Sequence, residues 1–280
     1  EDVEGAYPGI EFLKAFNLEG KQLAKGRVGI IGGGNSAMDA ARVALRQSGV
    51  TSVTIYYRRT RNEMPAFAEE IEACLEEGIE IKTLLAPVKV LAAQERLTGL
   101  EVIHNRLGEP DSSGRQRPEP IPGTEEQIPL DTLIVAIGEE PDTASLAGVP
   151  LSRRGTLSIN AESGATGRTG VFGGGDVVTG SNTVIDAIAS GKNAALMIDR
   201  YLTGRQMRVL PKAKLPGVYV EPLETAEEEG EIAARAVPPC LSLESRTRSC
   251  AEVELCLAEN DAVLEAQRCL RCDLEFTQPN

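Results

Sequence analysis

The sequence has no Trp, only five Tyr and five Phe, and a single His. So few rings argue against stacking platforms for single-stranded nucleic acid or sugars. Cations are the minority: 29 Lys and Arg stand against 42 Asp and Glu, for a net charge of −13. Nucleic acids and anionic membrane surfaces are bound by clustered cations, so neither is an expected partner. No run approaches the ~18 uninterrupted apolar residues that a spanning helix needs. Glu1-Asp2-Val3-Glu4 has no basic stretch leading into an apolar core, so it does not read as a secretory signal. With no initiator Met, the chain reads as a piece of a longer protein. Cys is nearly absent before the tail: Cys74 stands alone, and Cys240, Cys250, Cys256, Cys269 and Cys272 follow. A secreted disulfide scaffold would be shorter and denser in Cys. Reduced thiols in a cytoplasmic protein are the expectation, with a metal or cluster role open at the C-terminus.

What remains is an ordinary globular composition, 41% apolar and 25% charged, long enough for one or two domains. Arg27–Ile31 reads as a buried strand that runs into glycines and then into an Ala-rich helix from Ser36 to about Gln47. Ser52–Tyr57 is a second strand, Pro65 opens a helix to about Glu77, and Ile79–Leu84 is a third strand. Strands alternating with helices predict a parallel α/β sheet of Rossmann-like type. The pattern then changes. Val88–Ala93 and Leu97–Ile103 read as antiparallel strands, Gly108–Gly123 as an exposed loop, and Asp131–Ile137 as a returning buried strand. Val171-Phe172 reads as a strand, Thr183 to about Leu202 as a helix, 205–239 as irregular and the last 35 residues as helical. An early helical stretch falls near Ile10–Phe16.

Gly32-Gly33-Gly34-Asn35-Ser36-Ala37 follows a strand and opens a helix, the context that makes a Gly-x-Gly-x-x-Ala pattern informative. Gly32 permits the tight turn, Gly34 removes a side chain where a pyrophosphate would approach, and Ala37 keeps helix and strand close. Free amides and the positive dipole end of the helix would then receive the phosphates. The second strand discriminates between dinucleotides. An NAD site usually ends it with an acid for the ribose 2′-hydroxyl. Here it ends Tyr57-Arg58-Arg59-Thr60-Arg61, and guanidinium groups bind a 2′-phosphate through charge-assisted forks. NADP(H) is the expected ligand, and a solvated basic edge is the alternative. Asp39 in the first helical turn and His104 in a strand read as structural.

A second cluster, Gly173-Gly174-Gly175-Asp176, follows Val171-Phe172. Close backbone approach to a polyol with a carboxylate accepting a hydroxyl is one reading; a plain Gly turn with a capping Asp is the other. The helix from Thr183 offers amides and a positive dipole end beyond it.

The run from Ile31 to Arg42 resembles the NADPH turn of the glutamate synthase small subunit. Tyr57 to Ala66, Asp131 to Gly138 with Pro141, Gly170 to Asp176 and Ser181 to Ala189 are similarly close, and the likeness covers roughly residues 3–203 in order. The same module occurs in dihydropyrimidine dehydrogenase and in the NAD(P)H-linked subunits of several iron–sulfur complexes. In that family an NADPH domain is inserted in an FAD domain of the disulfide-reductase type. The resemblance therefore implies a lead-in from the FAD domain at 1–26, an NADP-binding domain at 27–138, the C-terminal part of the FAD domain at 139–204 and an extension at 205–280. It implies NADPH on Gly32, Gly33, Gly34, Asn35, Ser36, Ala37, Arg58, Arg59 and Arg61, with Ala136, Ile137 and Gly138 beside the nicotinamide path. It assigns Gly175, Asp176 and Thr183 to FAD. The βαβ unit that holds the ADP half of FAD should precede residue 1, so the FAD site is expected to be incomplete in this chain. The implied activity is hydride transfer from NADPH to flavin, feeding an iron–sulfur or large catalytic subunit. A non-catalytic nucleotide-binding or interaction module is the competing reading.

Cys269 and Cys272 stand three apart on one helix face, in a stretch that resembles the opening of the iron–sulfur domain of glutamate synthase small subunits. They are half of the usual four-ligand set. A 4Fe-4S cluster, a zinc ion or free thiols remain open.

Overall fold

A computed structural model describes residues 3–110, 114–208 and 235–267. The chain divides into two compact units, one comprising residues 1–138 and 238–256, the other 139–237 and 257–280.

The first unit is built on a five-stranded parallel sheet. Its strands are β1 (Ala6–Pro8), β2 (Gly26–Ile31), β3 (Val50–Tyr57), β4 (Glu80–Thr83) and β9 (Thr132–Val135), in the order β1-β9-β2-β3-β4. Helices α1 (Gly9–Glu19), α2 (Asn35–Leu45) and α3 (Ala68–Glu76) connect them. A second sheet pairs β5 (Leu85–Ala93), β6 (Arg96–Pro110) and β7 (Gln116–Pro120) antiparallel, with β8 (Glu126–Pro129) also on β6. The expected parallel α/β architecture is present.

Strand alternation explains the layers. Val28, Ile30, Val53, Ile55, Tyr57 and Ile134 face one core, with Phe12, Met38, Ile71 and Cys74 from the helices. Their neighbours Ile31, Tyr56 and Leu133 face another, with Leu85, Leu97, Leu100 and Val102 of the antiparallel sheet. Successive side chains of a strand point to opposite faces, so a near-continuous apolar run supplies both cores. On α2 the buried positions are Ala37, Met38, Ala40, Ala41 and Ala44, a helical stripe of mostly small residues that brings the axis close to the sheet. Helix α3 ends by rule: Gly78 is left-handed at φ 86°, Ile79 N–H donates to Cys74 O at 3.0 Å and Gly78 N–H to Leu75 O at 3.1 Å. Burial pushes the Cys74 thiol up to about 12, so it packs as an apolar residue.

Residues 238–256 join this unit through α6 (Leu243–Arg248). Arg246, 7% exposed, bonds Glu76 and lies 3.6 Å from the fully buried Glu77 carboxylate. Glu77 also accepts from Arg42 and Arg46, each at 2.8 Å.

Several elements differ from the sequence reading. The stretch read as a loop, Gly108–Gly123, contains β7; its Pro118 and Pro120 pair Leu107 and Asn105 on a sheet edge, where a missing N–H is tolerated. Helix α3 starts at Ala68, three residues after Pro65, because Ala66 N–H donates to Gly33 O and Phe67 N–H to Asn35 Oδ1. Those bonds tie Ala66 and Phe67 to the Gly turn, with Met64 and Phe67 extended on either side of a bend at Ala66. The three- and four-residue strands β1 and β8 lack a pattern long enough to read.

In the second unit, Val171-Phe172 forms no strand, only an isolated bridge between Phe172 and Ala165. Helices α4 (Asp176–Thr179), α5 (Val184–Leu202) and α7 (Glu259–Gln267) follow, so the last 35 residues are helical only in α6 and α7 among the described positions. No helix among the described residues is long and apolar enough to cross a membrane.

Candidate functional site

The C-terminal ends of β2 and β9 lie side by side, Ile31 opposite Val135, and the Gly turn leaves β2 there. In open α/β sheets this edge is where ligands bind. Each glycine of the turn has a different environment. A Cβ on Gly32, whose φ is 148°, would lie 2.2 Å from the carbonyl oxygen of Ala136. On Gly33 it would lie 2.5 Å from the Tyr57 ring. On Gly34 it would meet only Pro65 Cγ, at 3.9 Å. The first two glycines are therefore required by packing. The third is open, and packing gives no reason for it.

Gly34 is the N-cap of α2 with extended backbone and no side-chain cap. Among the described residues the N–H groups of Gly34, Asn35 and Ser36 donate to nothing, whereas Ala37 and Met38 N–H return to Gly34 O. Asn35 spends its side-chain oxygen on Phe67 N–H at 2.9 Å, and Ser36 is exposed. Unpaired amides and a positive dipole end in front of an open glycine make an anion cradle.

The three arginines after β3 occupy three situations. Arg58 is exposed. Arg59 is 5% exposed and donates Nε to Gln116 O at 2.7 Å, which fastens β7 to the end of β3. Arg61 is exposed and pairs with Glu72. Thr60 and Glu63 form a capping box that fixes the turn at Arg61–Glu63. Ala136 N–H donates to Ile31 O at 2.8 Å, Ile137 is 73% exposed and Gly138 has φ 116° with open space around it.

In the second unit, a Cβ on Gly174 would lie 2.3 Å from Ser190 Oγ, and one on Gly173 2.5 Å from Leu157 Cδ2. Gly175, at φ 71°, has nothing nearer than Ala187 at 3.7 Å. Asp176 is exposed at the start of α4. Thr183 caps α5, accepting from Asp186 N–H at 3.2 Å while its hydroxyl bonds the Asp186 carboxylate at 2.6 Å. The N–H groups of Val184 and Ile185 donate to nothing among the described residues. An exposed carboxylate and open amides suit a polyhydroxy, partly anionic group.

Cys269 and Cys272 lie outside the described residues. Cys240, Cys250 and Cys256 are exposed, and no group of three metal-ligating side chains occurs among the described residues. His104 is half-exposed, 3.8 Å from Glu126, on a strand of the antiparallel sheet. A cleft of about 320 Å³ between α1, α2 and 250–253 contains Asp39, Arg42 and Arg46 but none of the predicted site residues.

A family model described as pyridine nucleotide-disulphide oxidoreductase matches residues 7–191, most of the chain and both Gly clusters. The chain belongs to the pyridine nucleotide-disulphide oxidoreductase family. Its relatives include the beta subunit of an NADP(+)-dependent formate dehydrogenase from Moorella thermoacetica, 38% identical over 97% of this chain and 39% of that protein. A putative NADPH glutamate synthase small chain from Cereibacter sphaeroides is 44% identical over 63% of this chain and 43% of that protein. The chain thus spans less than half the length of either. Among solved structures, FprA from Mycobacterium tuberculosis superposes with a TM-score of 0.60 at 16% identity, covering 73% of this chain and 60% of that one. At that identity the likeness is one of fold.

Two features of this family member have no sequence signal. Tyr57 supports Gly33 with its ring and donates its hydroxyl to Glu63 O at 2.7 Å. Asn105, from β6, bonds the carbonyl of Arg58 at 2.9 Å. Both depend on contacts that periodicity does not encode.

Proposed function

We propose that the chain is the NADPH-receiving part of an FAD-linked oxidoreductase of the glutamate synthase small-chain type, working in the cytoplasm. The observation that carries this reading is Gly34, open in front of three unengaged amides at the start of α2. Residues 27–138 act as the NADP-binding domain, 139–204 as part of the FAD domain, with 1–26 as lead-in and 205–280 as an extension.

The amides of Gly34, Asn35 and Ser36 hold the pyrophosphate. Arg58 binds the 2′-phosphate with Arg61 beside it, and Arg59 shapes the region from below. Ala136, Ile137 and Gly138 line the nicotinamide path, since they follow β9 next to the turn. In the second unit Gly175 gives close approach, Asp176 accepts from a hydroxyl of FAD, and the start of α5 at Thr183 places positive potential near the flavin. With both cofactors bound, the chemistry they supply is hydride transfer from nicotinamide C4 to flavin N5; the protein supplies position, electrostatics and exclusion of side reactions.

Relatives that are a beta subunit and a small chain support a partner subunit, which in this reading is an iron–sulfur or large catalytic subunit. Cys269 and Cys272, with further thiols, would hold a 4Fe-4S cluster on the path to it. Calorimetric titration of the chain tests the reading: NADP(H) binds more tightly than NAD(H), and Arg58→Ala weakens NADP(H) by on the order of tenfold, the worth of one charge-assisted bond. Equal affinities would refute it.

A further inference from the structure

The end of β3 is clamped from the antiparallel sheet. Asn105 is 4% exposed, and its Nδ2 donates to Arg58 O at 2.9 Å. Its own N–H donates to Leu84 O at 2.8 Å, and Leu84 N–H donates to Arg59 O at 3.0 Å. Asn105 and Leu84 together therefore hold both carbonyls of the Arg58-Arg59 pair, immediately beyond the last ladder residue, Tyr57.

The clamp is kept at a cost. Leu84 has φ 58°, the left-handed region that a Cβ disfavours. Asn105 Oδ1 is buried with no partner among the described residues, and native proteins leave few such acceptors unsatisfied. An apolar residue at 105 would remove the orphaned oxygen and fill the same space. Only the Nδ2 donor would be lost. Unfavourable groups that persist together mark places where the held geometry matters to function. The geometry held here is the backbone from which the exposed Arg58 side chain projects.

We propose that Asn105 is a positioning residue for dinucleotide selection: by fixing the Arg58 carbonyl it sets the guanidinium where the 2′-phosphate is read. The inference rests on the reading of Arg58 as the 2′-phosphate ligand. An Arg whose backbone is free must be ordered on binding, and that ordering lowers affinity only for the ligand that uses it. NADH has no 2′-phosphate and is insensitive to the clamp.

The test measures dissociation constants for NADPH and NADH on the full chain, with thermal unfolding alongside, for Asn105→Ala, Asn105→Leu, Arg58→Ala and the double variant Arg58→Ala/Asn105→Ala. Asn105→Leu keeps the number and branching of side-chain heavy atoms and removes the orphaned oxygen, so it avoids the cavity that Ala leaves. Both Asn105 variants are expected to lower the preference for NADPH over NADH by roughly two- to fivefold with NADH affinity unchanged, a fraction of one charge-assisted bond. The double variant is expected to prefer NADPH no less than Arg58→Ala alone. If the Asn105 variants keep the full preference while Arg58→Ala loses it, Asn105 only supports the fold and the proposal is overturned. If Arg58→Ala itself keeps the preference, the 2′-phosphate reading falls first and takes the proposal with it.

Discussion

The two glycine clusters are built alike and finished differently. In each, a Cβ on two of the glycines would come within 2.5 Å of a neighbour: Ala136 O and the Tyr57 ring in the first, and in the second Leu157 and Ser190, which are side-chain ends able to turn aside. In each, the third glycine is an open N-cap: Gly34 of α2, and Gly175 of the one-turn α4, which α5 follows. The helices then part. Helix α2 buries Ala37, Met38, Ala40, Ala41 and Ala44 against its own sheet, whereas α5 buries only Met197 and leaves Val184, Ile185 and Leu202 more than 70% exposed. The backbone differs too: Gly34 is extended and Gly175 left-handed, so an L-residue fits the first and is strained at the second. In the first cluster the packed glycines serve the fold, and Gly34 leaves open space on relaxed backbone, a distinction that spacing alone does not make.

The largest expected effects fall on the first unit. Gly32→Ala combines backbone strain with a 2.2 Å clash against a carbonyl, a loss of about 3–5 kcal/mol from strain and overpacking together. Chemical denaturation should show it, with NADPH binding lost as well. A variant of unchanged stability would break the division between packed and open glycines.

Glu77 tests what pins α2 and α3 together. Breaking a buried ion pair costs about 3–5 kcal/mol, and Glu77→Gln should approach that at neutral pH. Burial opposes ionisation of Glu77, but hydrogen bonds from Arg46 and Arg42 outweigh it and hold the carboxyl below its ordinary 4.5. A carboxylate with a lowered folded value adds stability above the ordinary one and loses it as pH falls through the lowered one. The gap between wild type and Glu77→Gln should therefore be full at pH 7 and narrow below pH 4.5. A gap constant down to pH 3 would contradict the Arg–Glu77 assignment.

Smaller effects sharpen the contrast. Gly174→Ala meets a hydroxyl that can rotate away, so about 1–2 kcal/mol is expected, with NADPH affinity unchanged because the residue belongs to the second unit. Asp176→Ala, at an exposed position, should move stability by less than about 0.5 kcal/mol yet weaken flavin retention in a longer protein that carries the upstream ADP-binding unit, read from the visible absorbance of the retained flavin.

Much of the first unit was legible because a strand, a Gly turn and an Ala-striped helix agree locally with the sheet they join. Legibility failed where long-range pairing decided. Pro118 and Pro120 speak for a loop until β6 supplies an edge, and Pro65 speaks for a helix start until the carbonyl of Gly33 claims Ala66. The arginine run gave three equal candidates. Burial of Arg59 and pairing of Arg61 with Glu72 distinguish them, and neither shows in the spacing. The second cluster was less legible because its strand, Val171-Phe172, is a single bridge.

Titration of NADPH into Gly34→Ala, with thermal unfolding of the same sample, tests the account most directly. The added methyl meets only Pro65 at 3.9 Å on relaxed backbone, so stability should stay within about 0.5 kcal/mol of wild type. In the proposed reading the same methyl stands where the phosphates approach the amides of α2, so NADPH affinity should fall by at least about tenfold, the loss of one charge-assisted bond. A variant that binds NADPH as wild type does would show that the open glycine serves no ligand.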